Sequence, residues 1–137
     1  MSLLFVYGSL KEGFPNFHVN KGQRVPGSYR TVHAHPLYLA EGVLPCLLQT
    51  PGRGHKVIGQ LFEVNDAELA AMDRLERVGE PGGYDRIAIE VESNDGSLAG
   101  PMSVFVYVQH ESRLAIAGPH LGPLAEYTHE HAKTLRW

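Results

Sequence analysis

The first apolar block, Leu3-Leu4-Phe5-Val6-Tyr7, runs without a polar interruption and stops abruptly at Gly8-Ser9-Leu10-Lys11. A run this short and this rich in bulky β-formers predicts a buried strand, with Gly8 allowing a sharp turn at its end. Ser9 and Glu12 stand at capping-box spacing, which predicts that a helical turn starts at once. Asn16 is a candidate N-cap for a second short helix reaching Lys21. Positions 27–33 and 36–40 predict two extended pieces, divided near Pro36 because the residue before a proline avoids helical backbone. A short apolar piece around Pro45 predicts irregular or edge structure over 42–50, and Pro51-Gly52-Arg53-Gly54 predicts a turn.

From Lys56 to Val64 the chain alternates, with Val57, Gly59, Leu61 and Glu63 on one side and Ile58, Gln60, Phe62 and Val64 on the other. That period of two predicts a strand. Asn65-Asp66-Ala67-Glu68 opens the one strong helix, with an Asx cap and acidic residues in its first turn; it should reach Arg77 and stop before Gly79. Two further strands, Tyr84 to Glu92 and Met102 to Val108, are joined across the turn signal Asn94-Asp95-Gly96. Beyond Gln109 the pattern fades into Gly, Pro and His, with a short helix between Leu124 and Lys133 as its one predicted element. Positions 110–137 therefore read as an irregular tail of a single domain spanning 1–137. Strands outnumber helices, so the fold class is α+β with a sheet curled toward a barrel.

Composition narrows the function more than the fold. With 137 residues, 43% hydrophobic and 20% charged, the chain is long enough for one core and too short for two. A formal charge of −3 supplies no electrostatic ground for nucleic acid or an anionic membrane as partner. No cationic leader pattern opens the chain, and no apolar run approaches the ~20 residues of a membrane helix. Cys46 is the one cysteine, which rules out an intrachain disulfide and suits a reducing cytoplasm. It sits in the apolar stretch Leu44-Pro45-Cys46-Leu47-Leu48 and reads as a buried, inert thiol.

The turn after the first strand is a candidate binding corner, because exposed N–H groups beyond a strand tip suit a small anion such as a carboxylate. It is not a phosphate loop: Gly8 and Gly13 have the spacing, but Phe14 and Pro15 replace the required Lys and Ser/Thr. The second candidate is Glu76. At about 100° per residue it falls between Leu69 and Met72, inside the apolar arc of its helix and toward the C-terminal end, where the dipole disfavours a negative charge. Two arrangements satisfy this pattern. Either the side chain reaches solvent or pairs with Arg74, Arg77 or Arg86, or it stays in apolar surroundings with a raised pKa and serves as a proton acceptor. Tyr84 and Arg86 follow on one face of a strand and would supply a hydroxyl and a cation. His33-x-His35 and His129-x-His131 lack a third ligand at familiar spacing, so no metal site is expected, and the second pair reads as part of a solvated tail.

Val6-Tyr7-Gly8-Ser9-Leu10, Met72-Asp73-Arg74-Leu75-Glu76, Tyr84-x-Arg86 and Phe105-Val106-Tyr107 together resemble the γ-glutamylcyclotransferase superfamily. Positions 6–19, with Gly13-x-Pro15-Asn16, look most like its γ-glutamylamine cyclotransferase branch, and the likeness runs from Leu3 to about Gln109. The resemblance implies a small mixed, mostly antiparallel β-barrel with peripheral helices. It also implies conversion of a small γ-glutamyl amine, amino acid or peptide into 5-oxoproline with release of the free amine. Carried over residue by residue, Tyr7, Gly8, Ser9 and Leu10 would cradle the glutamyl group, Glu76 would be the acid/base, and Tyr84 and Tyr107 would line the pocket. No metal or cofactor is implied. Two other classes compete: a non-catalytic module that binds γ-glutamyl ligands or 5-oxoproline, and a metal-dependent hydrolase built on the histidines. Product formation separates the first, and loss of activity with a chelator would mark the second.

Overall fold

The computed structural model describes residues 1–40, 44–94, 100–110 and 120–133. In chain order the elements are β1 (Ser2–Val6), a single 3-10 turn (Phe17–Val19), β2 (Gln23–Thr31), β3 (Leu37–Ala40) and β4 (Leu44–Leu47). They continue with β5 (Ile58–Val64), α1 (Asp66–Leu75), β6 (Asp85–Ser93), β7 (Met102–Val108), β8 (His120–Leu121) and α2 (His129–Ala132). Five strands close into a barrel in the order β1-β5-β2-β6-β7. The closing pair, β1 with β7, is parallel at Leu4 and Phe105, while the other neighbours are antiparallel. A second sheet, β4-β3-β8, packs beside it. This is the mixed barrel with few helices that the sequence resemblance implied.

The uninterrupted apolar run of β1 is explained by burial on both faces, where a half-buried strand would alternate. Phe5 and Tyr7 pack inside the barrel with Leu61, Val104, Val106 and Val108. Leu4 and Val6 face outward, where Phe62, Val64 and Tyr107 meet Leu69 and Met72 of α1. α1 therefore lies over β1, β5 and β7, and its C-terminal end comes to rest beside the end of β1.

Several local expectations are corrected. No helix starts at Ser9, because both halves of the proposed capping box are engaged elsewhere. Ser9 Oγ accepts from Asn16 Nδ2, and the Glu12 carboxylate pairs with Arg24 at 3.0 Å. The chain instead passes through successive turns from Gly8 to Asn16. Asn16 does not cap with its side chain, and the second helix is the 3-10 turn alone. β2 begins at Gln23, ahead of Pro26, rather than at Gly27, because a register shift against β5 between Val25 and Tyr29 accommodates both residues. α1 has the expected Asx cap at Asn65, which Glu68 completes into a capping box, but it ends at Leu75. The turn expected at Asn94-Asp95-Gly96 lies beyond Asn94 outside the described residues.

The described C-terminal residues 120–133 dock on the rest of the fold rather than forming a free tail, although His129 itself is exposed. Tyr127 is fully buried among the barrel core residues. Leu124 N–H donates to Leu37 O, and Ala125 O accepts from Ile58 N–H. The His129 ring stacks on Phe14 at 4.1 Å, and α2 occupies only part of the predicted helical stretch. No described helix is long and apolar enough to cross a membrane.

Candidate active site

A cleft lies where the end of β1, the C-terminal end of α1, β4 and the start of β6 converge. Phe5, Val6, Tyr7, Gly8, Ser9, Leu10, Pro45, Glu76, Tyr84 and Tyr107 line about 350 Å³ of space, part of it open to solvent. All seven site residues expected from the sequence are on its wall. Pro45 is the lining residue contributed by the 44–48 segment. Lys11, Phe14 and Phe17, next along the chain, are not on this wall: Lys11 Nζ donates to Tyr127 O and lies 4.2 Å from the Phe14 ring centre, and Phe17 packs on Phe62. Burial lowers the Lys11 pKa to about 8.

The helix end is built by backbone hydrogen bonds. Glu76 is the C-cap; Arg77 N–H donates to Arg74 O and Val78 N–H to Asp73 O, the pair of bonds that defines a Schellman motif. Arg77 takes the left-handed position, φ 57°. Tyr84 N–H then donates to Glu76 O at 2.9 Å, so helix end and cleft wall are tied through one carbonyl. The Glu76 side chain is buried, and among the described residues neither a cation nor a hydrogen-bond donor reaches its carboxylate. Burial raises its pKa from 4.5 to about 7. Of the two arrangements the sequence left open, this is the unpaired, apolar one.

Arg86 does not supply a cation to the cleft. It pairs with Asp73 at 3.5 Å and lies over the Phe105 ring. Asp73 also accepts from Tyr107 Oη at 2.8 Å. Tyr7 Oη donates to Tyr107 O at 2.7 Å and accepts from Leu47 N–H, while Tyr84 Oη donates to Pro45 O at 2.7 Å. All three phenols are thus committed to protein acceptors, and burial first of all pushes their pKa values up, so they remain protonated. All three form part of the cleft wall.

The corner 8–10 lines the same cleft as Glu76. Among the described residues no acceptor takes the N–H groups of Gly8, Ser9 or Leu10. A Cβ on Gly8 would lie 2.9 Å from Pro45 Cγ, so glycine is what lets β4 close over this corner. Two buried asparagines hold it: Asn16 Nδ2 donates to Ser9 Oγ at 2.9 Å and Asn20 Nδ2 to Leu10 O at 3.0 Å. The sequence reading missed both roles. Their signal was an i, i+4 pair of asparagines flanking Phe17 in a stretch too short to need two caps.

Cys46 is buried, with Sγ 3.5 Å from Tyr84 Oη, as expected of a thiol inside the core. His33 and His35 lie far along the chain from this corner, and burial lowers the His35 pKa. Among the described residues no three His, Cys, Asp or Glu side chains are grouped so as to hold a metal ion.

The comparison with known proteins agrees with this architecture. The model of the family described as gamma-glutamyl cyclotransferase, AIG2-like, matches residues 4–128, past the point near Gln109 where the sequence resemblance was expected to stop. The chain belongs to that family. It is 38% identical over 117 residues to a gamma-glutamylaminecyclotransferase of Rattus norvegicus, covering 78% of this chain and 77% of the relative. The counterpart of Bos taurus is 36% identical over 110 residues, 76% of this chain and 63% of the relative's length. The crystal structure of an AIG2-like protein from Mus musculus superposes with a TM-score of 0.80 at 32% identity, covering 100% of this chain and 95% of that one.

Proposed function

We propose that the protein is a cyclotransferase that converts a small γ-glutamyl amine into 5-oxoproline and the free amine. Glu76 acts as acid and base, and the corner Tyr7-Gly8-Ser9-Leu10 holds the glutamyl group. The observation that carries this reading is the polar inventory of the cleft. Among the described residues the Glu76 carboxylate and the N–H groups of Gly8, Ser9 and Leu10 are left without partners, while the phenols around them are engaged. A carboxyl with a pKa about 7 accepts and returns a proton near neutrality. Unpaired N–H groups suit the substrate's α-carboxylate or the oxyanion of a tetrahedral intermediate.

The chemistry is intramolecular. The substrate's α-nitrogen forms a bond to its own γ-carbonyl carbon and loses a proton to Glu76. The tetrahedral centre then collapses, the bond to the departing nitrogen breaks, and Glu76 returns the proton to that nitrogen. Atoms balance without a co-reactant. Folding the glutamyl chain so that nucleophile and carbonyl meet is the main task, and such orientation is worth ~7–11 kcal/mol. The names of the relatives support an amine as leaving group, and the single buried thiol suits a reducing cytoplasm.

The test is incubation with γ-glutamyl-ε-lysine, γ-glutamyl-alanine and glutathione, with 5-oxoproline as readout. Turnover of the first is expected. Glu76→Gln, which keeps shape and removes the base, should lower the rate by about 10²–10⁴-fold. Binding without product from any of the three would instead mark a non-catalytic module.

A further inference from the structure

The corner that shares the cleft with Glu76 contains a hydroxyl whose hydrogen bonding is constrained by a neighbouring side chain. Ser9 Oγ accepts a hydrogen bond from Asn16 Nδ2 at 2.9 Å, and both residues are buried. A serine hydroxyl has one hydrogen and two lone pairs. With a lone pair held by the amide, the hydrogen must point elsewhere, and among the described residues no protein acceptor takes it. Ser9 lines the cleft.

The side chain of Asn16 is not needed to close the loop. Its backbone N–H already donates to Ser9 O at 2.9 Å, and Asn20 independently anchors the next residue through Leu10 O. An amide that serves only as a donor to a hydroxyl on the cleft wall is explained by what that hydroxyl then does.

We propose that Asn16 is a positioning residue that acts through Ser9: its amide turns the Ser9 O–H into the cleft, where it donates to the α-carboxylate of the γ-glutamyl substrate beside the free backbone N–H groups of 8–10. The inference rests on the cyclotransferase reading of this cleft. It adds a fourth donor to the three main-chain ones. It also makes the sign of the Asn16 side chain matter, since a residue that accepts there would draw the hydroxyl hydrogen away from the substrate.

The experiment is a double-mutant cycle on the full chain: Ser9→Ala, Asn16→Leu and the pair, with kcat, KM and thermal unfolding measured for each. A hydrogen bond to a charged group predicts that each single substitution raises KM about 10-fold or more, with kcat within about threefold. The pair should be no worse than the poorer single, because Asn16 has nothing left to orient once the hydroxyl is gone. Ser9→Thr keeps the hydroxyl and should retain KM. Asn16→Asp preserves shape but cannot donate, so it should raise KM at least as much as Asn16→Leu; it also serves if the leucine variant does not fold. Independent, multiplying losses in the pair overturn the proposal, as does an unchanged KM in Asn16→Asp. If the parent protein forms no 5-oxoproline, the cyclotransferase reading fails and takes this inference with it. If the parent is active and Glu76→Gln is not, a missing coupling sinks the positioning role alone.

Discussion

Glu76 sits at the C-cap of α1 with apolar neighbours and, among the described residues, no counter-ion, and that placement links its chemistry to its effect on stability. In the unfolded chain the carboxyl ionises near 4.5, whereas in the folded protein it holds its proton to about 7. Between those two values the unfolded state loses the proton and the folded state keeps it. Stability therefore falls as pH rises through the window and levels off above it. The contribution is on the order of 3 kcal/mol across the window. Glu76→Gln removes the titration, so urea unfolding at about pH 5 and about pH 8 should show a smaller loss in the variant than in the parent. Activity runs the other way. As a base, Glu76 should make kcat/KM rise with pH through about 7, and a flat profile there would exclude it from proton transfer. With the proposed role of Glu76, chemistry and stability pull against each other at one residue.

At the scale of elements, the end of α1 is the piece that aims Glu76. The Schellman motif normally places glycine in the left-handed position, yet Arg77 occupies it at φ 57°. A Cβ on Gly83 would overlap Arg77 O, so the following turn presses directly on this peptide. Arg77 itself is exposed and makes only a loose pair with Glu80 at 3.8 Å. Arg77→Gly relieves the left-handed strain and loses a surface pair of small value. The change should stabilise the protein by roughly 0.5–1 kcal/mol after the extra freedom of glycine in the unfolded chain is counted. Thermal unfolding reads that gain, and kcat should not move. The start of α1 was legible because a cap and its partner lie within four residues. Its stop was not, since an arginine in the left-handed position carries no sequence signal. The absent helix at Ser9 has the same cause in reverse: the capping spacing was present, but Asn16 and Arg24 captured its two side chains.

Across the whole molecule, the segment from Leu124 to Ala132 ties the parts together. It bonds to Leu37 and Ile58 through the backbone, receives Lys11 Nζ at Tyr127 O, and seats Tyr127 in the core beside Phe14. The Tyr127 hydroxyl is buried and has no hydrogen-bond partner among the described residues. Tyr127→Phe should therefore be neutral or stabilising by up to about 1 kcal/mol, because it removes an unsatisfied polar group. Tyr127→Ala should cost about 3–5 kcal/mol by opening a cavity. Denaturant unfolding of the two variants measures both, and a large loss in the phenylalanine variant would mean that the hydroxyl is satisfied after all.

What the amino-acid order determined is what nearest neighbours and periodicity encode: the unbroken apolar β1, the alternation of β5, the capped start of α1, and a glutamate on the wrong side of a helix. The motif set was also enough to name the family. Tertiary structure decided which of the partners open to Glu76 it would keep, and the outcome was none, because Arg86 went to Asp73. It decided that three tyrosines would shape the cleft while their hydroxyls bonded to protein, and that a Gly- and His-rich tail would bury a tyrosine in the core. Those outcomes depend on contacts between residues as far apart as Lys11 and Tyr127. Such contacts form only once the barrel closes, so no local pattern along the chain could specify them.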